Sequence, residues 1–165
     1  MKILAIDPSS NRTGYAILES IGERVLEAGI LKPDRTTDPA NDRIRAMVRE
    51  AQAIIAEQEP SLIVIEDTTG KVGKRHGSGG GAGLAVYGKA IGWFASMCER
   101  LRPGRVKLVL ENEWTAGVSK ARRQLTVSRL FPKMDLSTDT GGDASDAIGV
   151  GLYAVRNLLK PGDSA

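Results

Sequence analysis

Apolar residues follow two different rhythms along this chain. Ile3-Leu4-Ala5-Ile6 is a continuous apolar run closed by Asp7-Pro8-Ser9-Ser10, the pattern of a buried strand that ends in a turn. Residues 14–19 and 25–31 read as two further strands joined by a short turn around Gly22-Glu23, so the first third is a β-meander. The period then lengthens. Between about residues 39 and 58, Ile44, Met47, Val48, Ala51, Ile54 and Ile55 recur at helical spacing with Arg, Asp and Glu opposite them, and Pro60 stops the helix. Leu62-Ile63-Val64-Ile65 is the strongest strand signal, and Glu66 closes it. A helix is predicted over 81–100 despite Gly83, Gly88 and Gly92. A fifth strand follows over 106–110, a basic helix over 119–130 and a last helix over about 143–159.

Three strands followed by strand and helix in alternation is an α/β pattern. A right-handed crossover through the helix at 39–58 would lay strand four parallel to strand one. The prediction is a five-stranded mixed sheet of order 3-2-1-4-5 flanked by helices. Its winding reverses between strands one and four, the place where open α/β sheets bind ligands beyond the carboxyl ends of their strands. No internal repeat or long linker divides the chain. Residues 1–160 are read as a single domain with a tail at 161–165, and the run "GSGGGAG" at 77–83 as a mobile loop within it.

A length of 165 residues suffices for one core without disulfides or a structural metal. The single cysteine, Cys98, excludes an intramolecular disulfide, suggests a reducing compartment and sits in an apolar helical stretch as an inert thiol. No apolar run approaches membrane length and the Met-Lys-Ile-Leu start leads into a strand, so a cytoplasmic protein without a signal peptide is expected. A net charge of +3 and a pI near 9.1 permit a polyanionic partner without requiring one.

The acids change the picture. Asp7 and Glu66 each close an apolar run at its carboxyl end. In neighbouring parallel strands, about 4.8 Å apart, they would emerge side by side and repel, and a hard divalent cation is the usual compensation. Asp143 and Asp146, in "TGGDASDAIGVGLYA", fall about 60° apart on the first turn of the last helix. Ile148, Leu152, Val155 and Leu159 line another face of that helix. Ala147, Val150 and Ala154 lie below the aspartates, so it should pack on more than one side. Taken singly, Asp7 is a turn former and the helix pair a dipole-compensating cap. Taken jointly, two strand-end acids at a switch point and a paired-acid helix indicate one shared cation site.

Basic residues gather at Lys71, Lys74, Arg75 and His76, just after Glu66, and at Lys120, Arg122 and Arg123, with Arg129 further along the same helix. Beside an acidic site such clusters suit phosphate contact rather than a merely solvated face. Trp114 is read as a core anchor. Gly81, Gly88, Gly92 and Ala95 give the helix at 81–100 a small-residue face that fits either burial within the domain or a dimer seam.

The segments "MKILAIDPSSNRTGYAIL", "LIVIEDT", "GVSKARRQL" and "GGDASDAIGVGLYA", with the helix at 82–100 between them, together resemble RuvC-type Holliday junction resolvases over nearly the whole chain. The resemblance implies a ribonuclease H-like fold, a homodimer and Mg²⁺-dependent nicking of four-way DNA junctions and other branched DNA. It implies two Mg²⁺ ions per site, for which Mn²⁺ can substitute. By position it makes Asp7, Glu66, Asp143 and Asp146 catalytic and metal-binding residues. Asp7, on the central strand, is expected to bridge both ions, Glu66 and Asp146 to hold one each and Asp143 to be the loosest ligand. The chain departs from cellular members where Asp67-Thr68-Thr69-Gly70 carries no aromatic residue. The long basic loop to residue 80 resembles phage-encoded relatives. Two other classes share the sheet topology: a DNA-binding module that does not cut, and a fragment of an actin-like or sugar-kinase-type ATPase, suggested by "DPSSNRTG". The second needs two such domains, and the first does not need four intact acids.

Overall fold

The computed structural model describes residues 1–33, 35, 37–68 and 80–159. The basic cluster at 71–76, the start of the glycine-rich run at 77–79 and the expected tail at 161–165 lie outside them.

The strands are β1 (Lys2–Asp7), β2 (Thr13–Glu19), β3 (Arg24–Leu31), β4 (Leu62–Asp67) and β5 (Val106–Leu110). They form one sheet in the order β3-β2-β1-β4-β5. The β1–β2 and β2–β3 pairings are antiparallel, and the β1–β4 and β4–β5 pairings are parallel. The helices are α1 (Ala40–Gln58), α2 (Gly80–Leu101), α3 (Glu111–Thr115), α4 (Lys120–Leu130) and α5 (Asp143–Asn157). The mixed sheet and its order agree with the sequence pattern. The short α3 and a 3-10 turn at Ile21–Glu23 do not announce themselves in the apolar pattern, because neither is long enough to complete a period. Helix α1 ends on Glu59 in the left-handed conformation, one residue before Pro60.

Alternation along the strands divides the core in two. Leu4 and Ile6 of β1 and Ile63 and Ile65 of β4 pack with Met47, Ala51, Ile55, Phe94, Met97 and Cys98 of α1 and α2. Ile3 and Ala5 of β1 and Leu62 and Val64 of β4 face the other way, onto Ala147, Ile148, Val150 and Leu152 of α5 and Val127 of α4. Helix α5 is buried on more than one side, as its nearly all-round apolar composition requires. Cys98 is fully buried, and burial pushes its thiol pKa up to about 12. Among the described residues no helix is long and apolar enough to cross a membrane.

Two local features set where α5 begins. Gly14 lies directly across from Asp7 in the β1–β2 ladder. A Cβ there would sit 1.9 Å from the backbone carbonyl oxygen of Asp143, so only glycine lets the first turn of α5 rest against β2. The start of α5 is capped by Asp139, not by its own aspartates. The buried Asp139 carboxylate accepts the backbone N–H of Ala144 (3.2 Å) and of Ser145 (2.9 Å), and the Ser145 hydroxyl (2.8 Å). Asp143 and Asp146 are thereby free to project elsewhere.

Gly14→Ala therefore forces a methyl group against the backbone of Asp143, where no flexible side chain can yield. Thermal or urea unfolding should show a loss of about 1–3 kcal/mol, the usual cost of overpacking. Unchanged stability would mean that α5 does not need this close approach.

Candidate active site

Strand parity brings the acids together. One residue beyond the last β1–β4 ladder pair, Ile6–Ile65, Asp7 and Glu66 fall on the face that carries α5. Helix α5 presents Asp143 and Asp146 from its first turn to the same place. All four line a cavity of about 730 Å³, together with a fifth acid, Glu111, and the cations Lys120 and Arg123.

The carboxylates fall into two electrically different halves. Glu66, only 7% exposed, accepts hydrogen bonds from the Tyr87 hydroxyl (3.2 Å) and the Trp114 indole Nε1 (2.8 Å), both neutral donors. Burial, then the negative fields of Glu111 and Asp146, raise its pKa to about 7 against the lowering effect of those two bonds. Asp7 lies well above the ordinary carboxylate range, first through burial and then through repulsion from Glu66 and Asp146. Burial and the charge of Glu66 also push the Tyr87 hydroxyl far up, so it stays a donor.

The helix pair is instead surrounded by cations. Arg123 grips Asp146 with two bonds, Nε at 2.9 Å and Nη2 at 3.1 Å, and Lys120 Nζ adds a third contact at 3.0 Å. Asp143 meets Arg12 at 3.0 Å and Lys120 at 3.3 Å. Burial pulls the Lys120 pKa down, but its bond to Asp146 and the fields of the surrounding aspartates outweigh this and hold the ammonium above its ordinary value.

Trp114 joins the halves. Its ring rests on α5 at Gly149, where a Cβ would come within 2.5 Å of the indole. Its Nε1 holds Glu66, and the Arg123 guanidinium lies 4.7 Å from its ring centroid. The residue packs against the core, as expected of an anchor, and its polar edge belongs to the cavity.

Four carboxylates converging on one cavity, two of them made protonation-prone first by burial and then by neighbouring acids, suit a hard divalent cation in kind. Among the described residues, however, no three acidic, histidine or cysteine side chains stand in a metal-holding cluster, while Arg12, Lys120 and Arg123 occupy the helix acids. Of the expected phosphate contacts, Lys120 and Arg123 line the cavity, and Arg122 is exposed on α4 away from its lining. Lys71, Lys74, Arg75 and His76 lie outside the described residues. Arg12, Tyr87, Glu111 and Asp139 are site residues that the sequence reading did not single out. Arg12, Tyr87 and Glu111 act on groups distant in the chain, which no local pattern marks, and Asp139 caps α5 from four residues before its first residue.

The fold and the acid-lined cavity at its switch point define a ribonuclease H-like α/β protein. The family model for crossover junction endodeoxyribonuclease RuvC matches residues 3–77. A RuvC of Methylococcus capsulatus is 31% identical over 158 residues, covering 90% of this chain and 87% of that protein. One from Trichlorobacter lovleyi is 26% identical over 167 residues, covering 95% and 86%. The structure of T. thermophilus RuvC in complex with a Holliday junction substrate superposes with a TM-score of 0.71 at 17% identity, covering 98% of this chain and 99% of that one. The chain belongs to the RuvC family of crossover junction endodeoxyribonucleases.

The raised pKa values have a consequence for stability. Asp7 and Glu66 bind their protons more tightly when folded than when unfolded; for Glu66 this contribution is fully present below its ordinary value of 4.5 and is lost as pH rises through about 7, and Asp7 shifts in the same direction. With divalent ions chelated, Tm should fall between about pH 5 and about pH 8, by roughly 2–4 °C for each kcal/mol lost. A scanning calorimetry series in EDTA measures it, and a Tm that rises across that window contradicts the assignment.

Proposed function

We propose that this protein is a Mg²⁺-dependent, structure-selective endodeoxyribonuclease that resolves four-way DNA junctions by paired nicks and also cuts other branched DNA. The observation that supports this most directly is the meeting of Asp7, Glu66, Asp143 and Asp146 in one cavity bordered by Lys120 and Arg123. Asp7, on the central strand between Glu66 and α5, is proposed to serve both ions, Glu66 and Asp146 one each, and Asp143 the most loosely. Mg²⁺ held there would supply an activated water and charge stabilisation of the leaving oxygen, with Mn²⁺ able to substitute.

The chain's own residues do the remaining work. The hydrogen bonds from Tyr87 and Trp114 fix the Glu66 carboxylate in one orientation. Lys120 and Arg123 at the cavity and the exposed Arg122 of the same helix would contact the phosphate backbone, joined by Lys71, Lys74, Arg75 and His76 from the segment that follows β4 in the chain. Paired nicking of symmetric strands requires two sites, so the active form is proposed to be a homodimer. The open small-residue positions of α2, Gly88 and Gly92, are exposed and a Cβ on either would meet no neighbour, which supports α2 as part of the seam.

Synthetic four-way junctions, flaps and linear duplex, incubated with and without Mg²⁺ and resolved on denaturing gels, test the proposal. Symmetric nicks in the junction that need Mg²⁺ are expected, and failure to cut any branched DNA would defeat it. Asp7→Asn should abolish cutting, a drop of at least a thousandfold. Because Asn mimics the protonated acid and removes repulsion with Glu66, the variant's Tm at pH 8 without divalent ions should equal or exceed that of the parent. Retained nicking by the variant would remove Asp7 from the catalytic set.

A further inference from the structure

Asp146 is 4% exposed and its two oxygens are taken by three charge-assisted contacts, two from Arg123 and one from Lys120. A buried carboxylate so fully compensated cannot turn its oxygens to another cation without giving up one it already holds. The two cations differ in how firmly they sit. Lys120 has a side chain 43% exposed and divides itself between Asp143 and Asp146. Arg123 has a side chain only 15% exposed and is fixed from three directions: Nη1 donates to the Val118 carbonyl at 2.8 Å, the guanidinium faces the Trp114 ring, and Nε and Nη2 grip Asp146. The same Trp114 holds Glu66 through Nε1, so Arg123 and Glu66 share one indole.

We infer that Arg123 is a resident counter-cation of the site: it neutralises and orients Asp146 until a divalent ion claims that carboxylate, and it leaves the Trp114 ring as it yields. The inference rests on the proposed divalent-cation function of the acids and adds a positioning role for Arg123, whose grip makes ion entry a replacement rather than a filling.

Trp114 supplies a readout that does not depend on cleavage. The chain has two tryptophans, and Trp93 lies beneath Arg45, so Trp93→Phe leaves Trp114 as the only indole. The full chain carrying Trp93→Phe is titrated with Ca²⁺ and with Mg²⁺, without DNA, and followed by tryptophan emission and by isothermal calorimetry. A saturable emission change with the same midpoint as the heat signal is expected. Adding Arg123→Gln should tighten ion binding by about tenfold and remove the emission change, and Arg123→Lys should fall between. Ion binding by calorimetry with unchanged Trp114 emission in the Trp93→Phe protein overturns the inference. So does an Arg123→Gln protein that unfolds cooperatively yet binds ions no more tightly than its parent. If Arg123→Gln fails to fold, the emission titration of the Trp93→Phe protein decides alone. No detectable binding of either ion to any folded form overturns the cation function itself, and Arg123's role with it.

Discussion

Two carboxylates that repel each other, held at the ends of the two central strands, are the constraint around which this protein is arranged. The parallel β1–β4 register sends Ile3, Ala5, Leu62 and Val64 to one face, and the same parity sends Asp7 and Glu66 there too. Neither acid can turn away, because the opposite face is filled by the packing of Ile6 and Ile65 against α1 and α2. The energy that seals the core is the same energy that confines the charges. Their displaced pKa values record it, in Asp7 through burial and repulsion and in Glu66 through burial and the neighbouring acids.

The rest of the site is built to bring a second pair of acids to that point at the right height. Gly14 removes the side chain that would stand between β2 and α5. Asp139 takes over the orphan N–H groups of the helix start, so Asp143 and Asp146 need not bend back to cap it. Capping and ligand-like placement, which compete when a helix has only its own first-turn acids, are here assigned to different residues.

Trp114 shows how packing and chemistry can share one side chain. Its ring fills the notch at Gly149, one edge holds Glu66 and one face carries Arg123. An aromatic residue loses little conformational entropy in performing all three tasks. The cost is that the two halves of the acid set become mechanically linked, and movement of Arg123 is felt at the indole that steadies Glu66.

Much of this was legible in the residues themselves. The strand signals at Ile3–Ile6 and Leu62–Ile65 and the helical period at 44–55 carry enough information to order the sheet, because burial of apolar faces leaves few topologies open. The closing acids Asp7 and Glu66 and the i, i+3 pair Asp143 and Asp146 stand out only as a set, because each alone suits a strand end or a helix start while together they meet at the switch point of the sheet. What the chain alone cannot express is who pairs with whom. Arg12 and Lys120 on Asp143, Tyr87 on Glu66 and Arg123 between Trp114 and Asp146 are contacts that exist only once the helices are docked on the sheet. Local sequence determines periodicity, and through it which elements form and which face they bury. The partner of each charge is decided by distances across the fold, because electrostatic compensation depends on position in space and leaves no period in the chain.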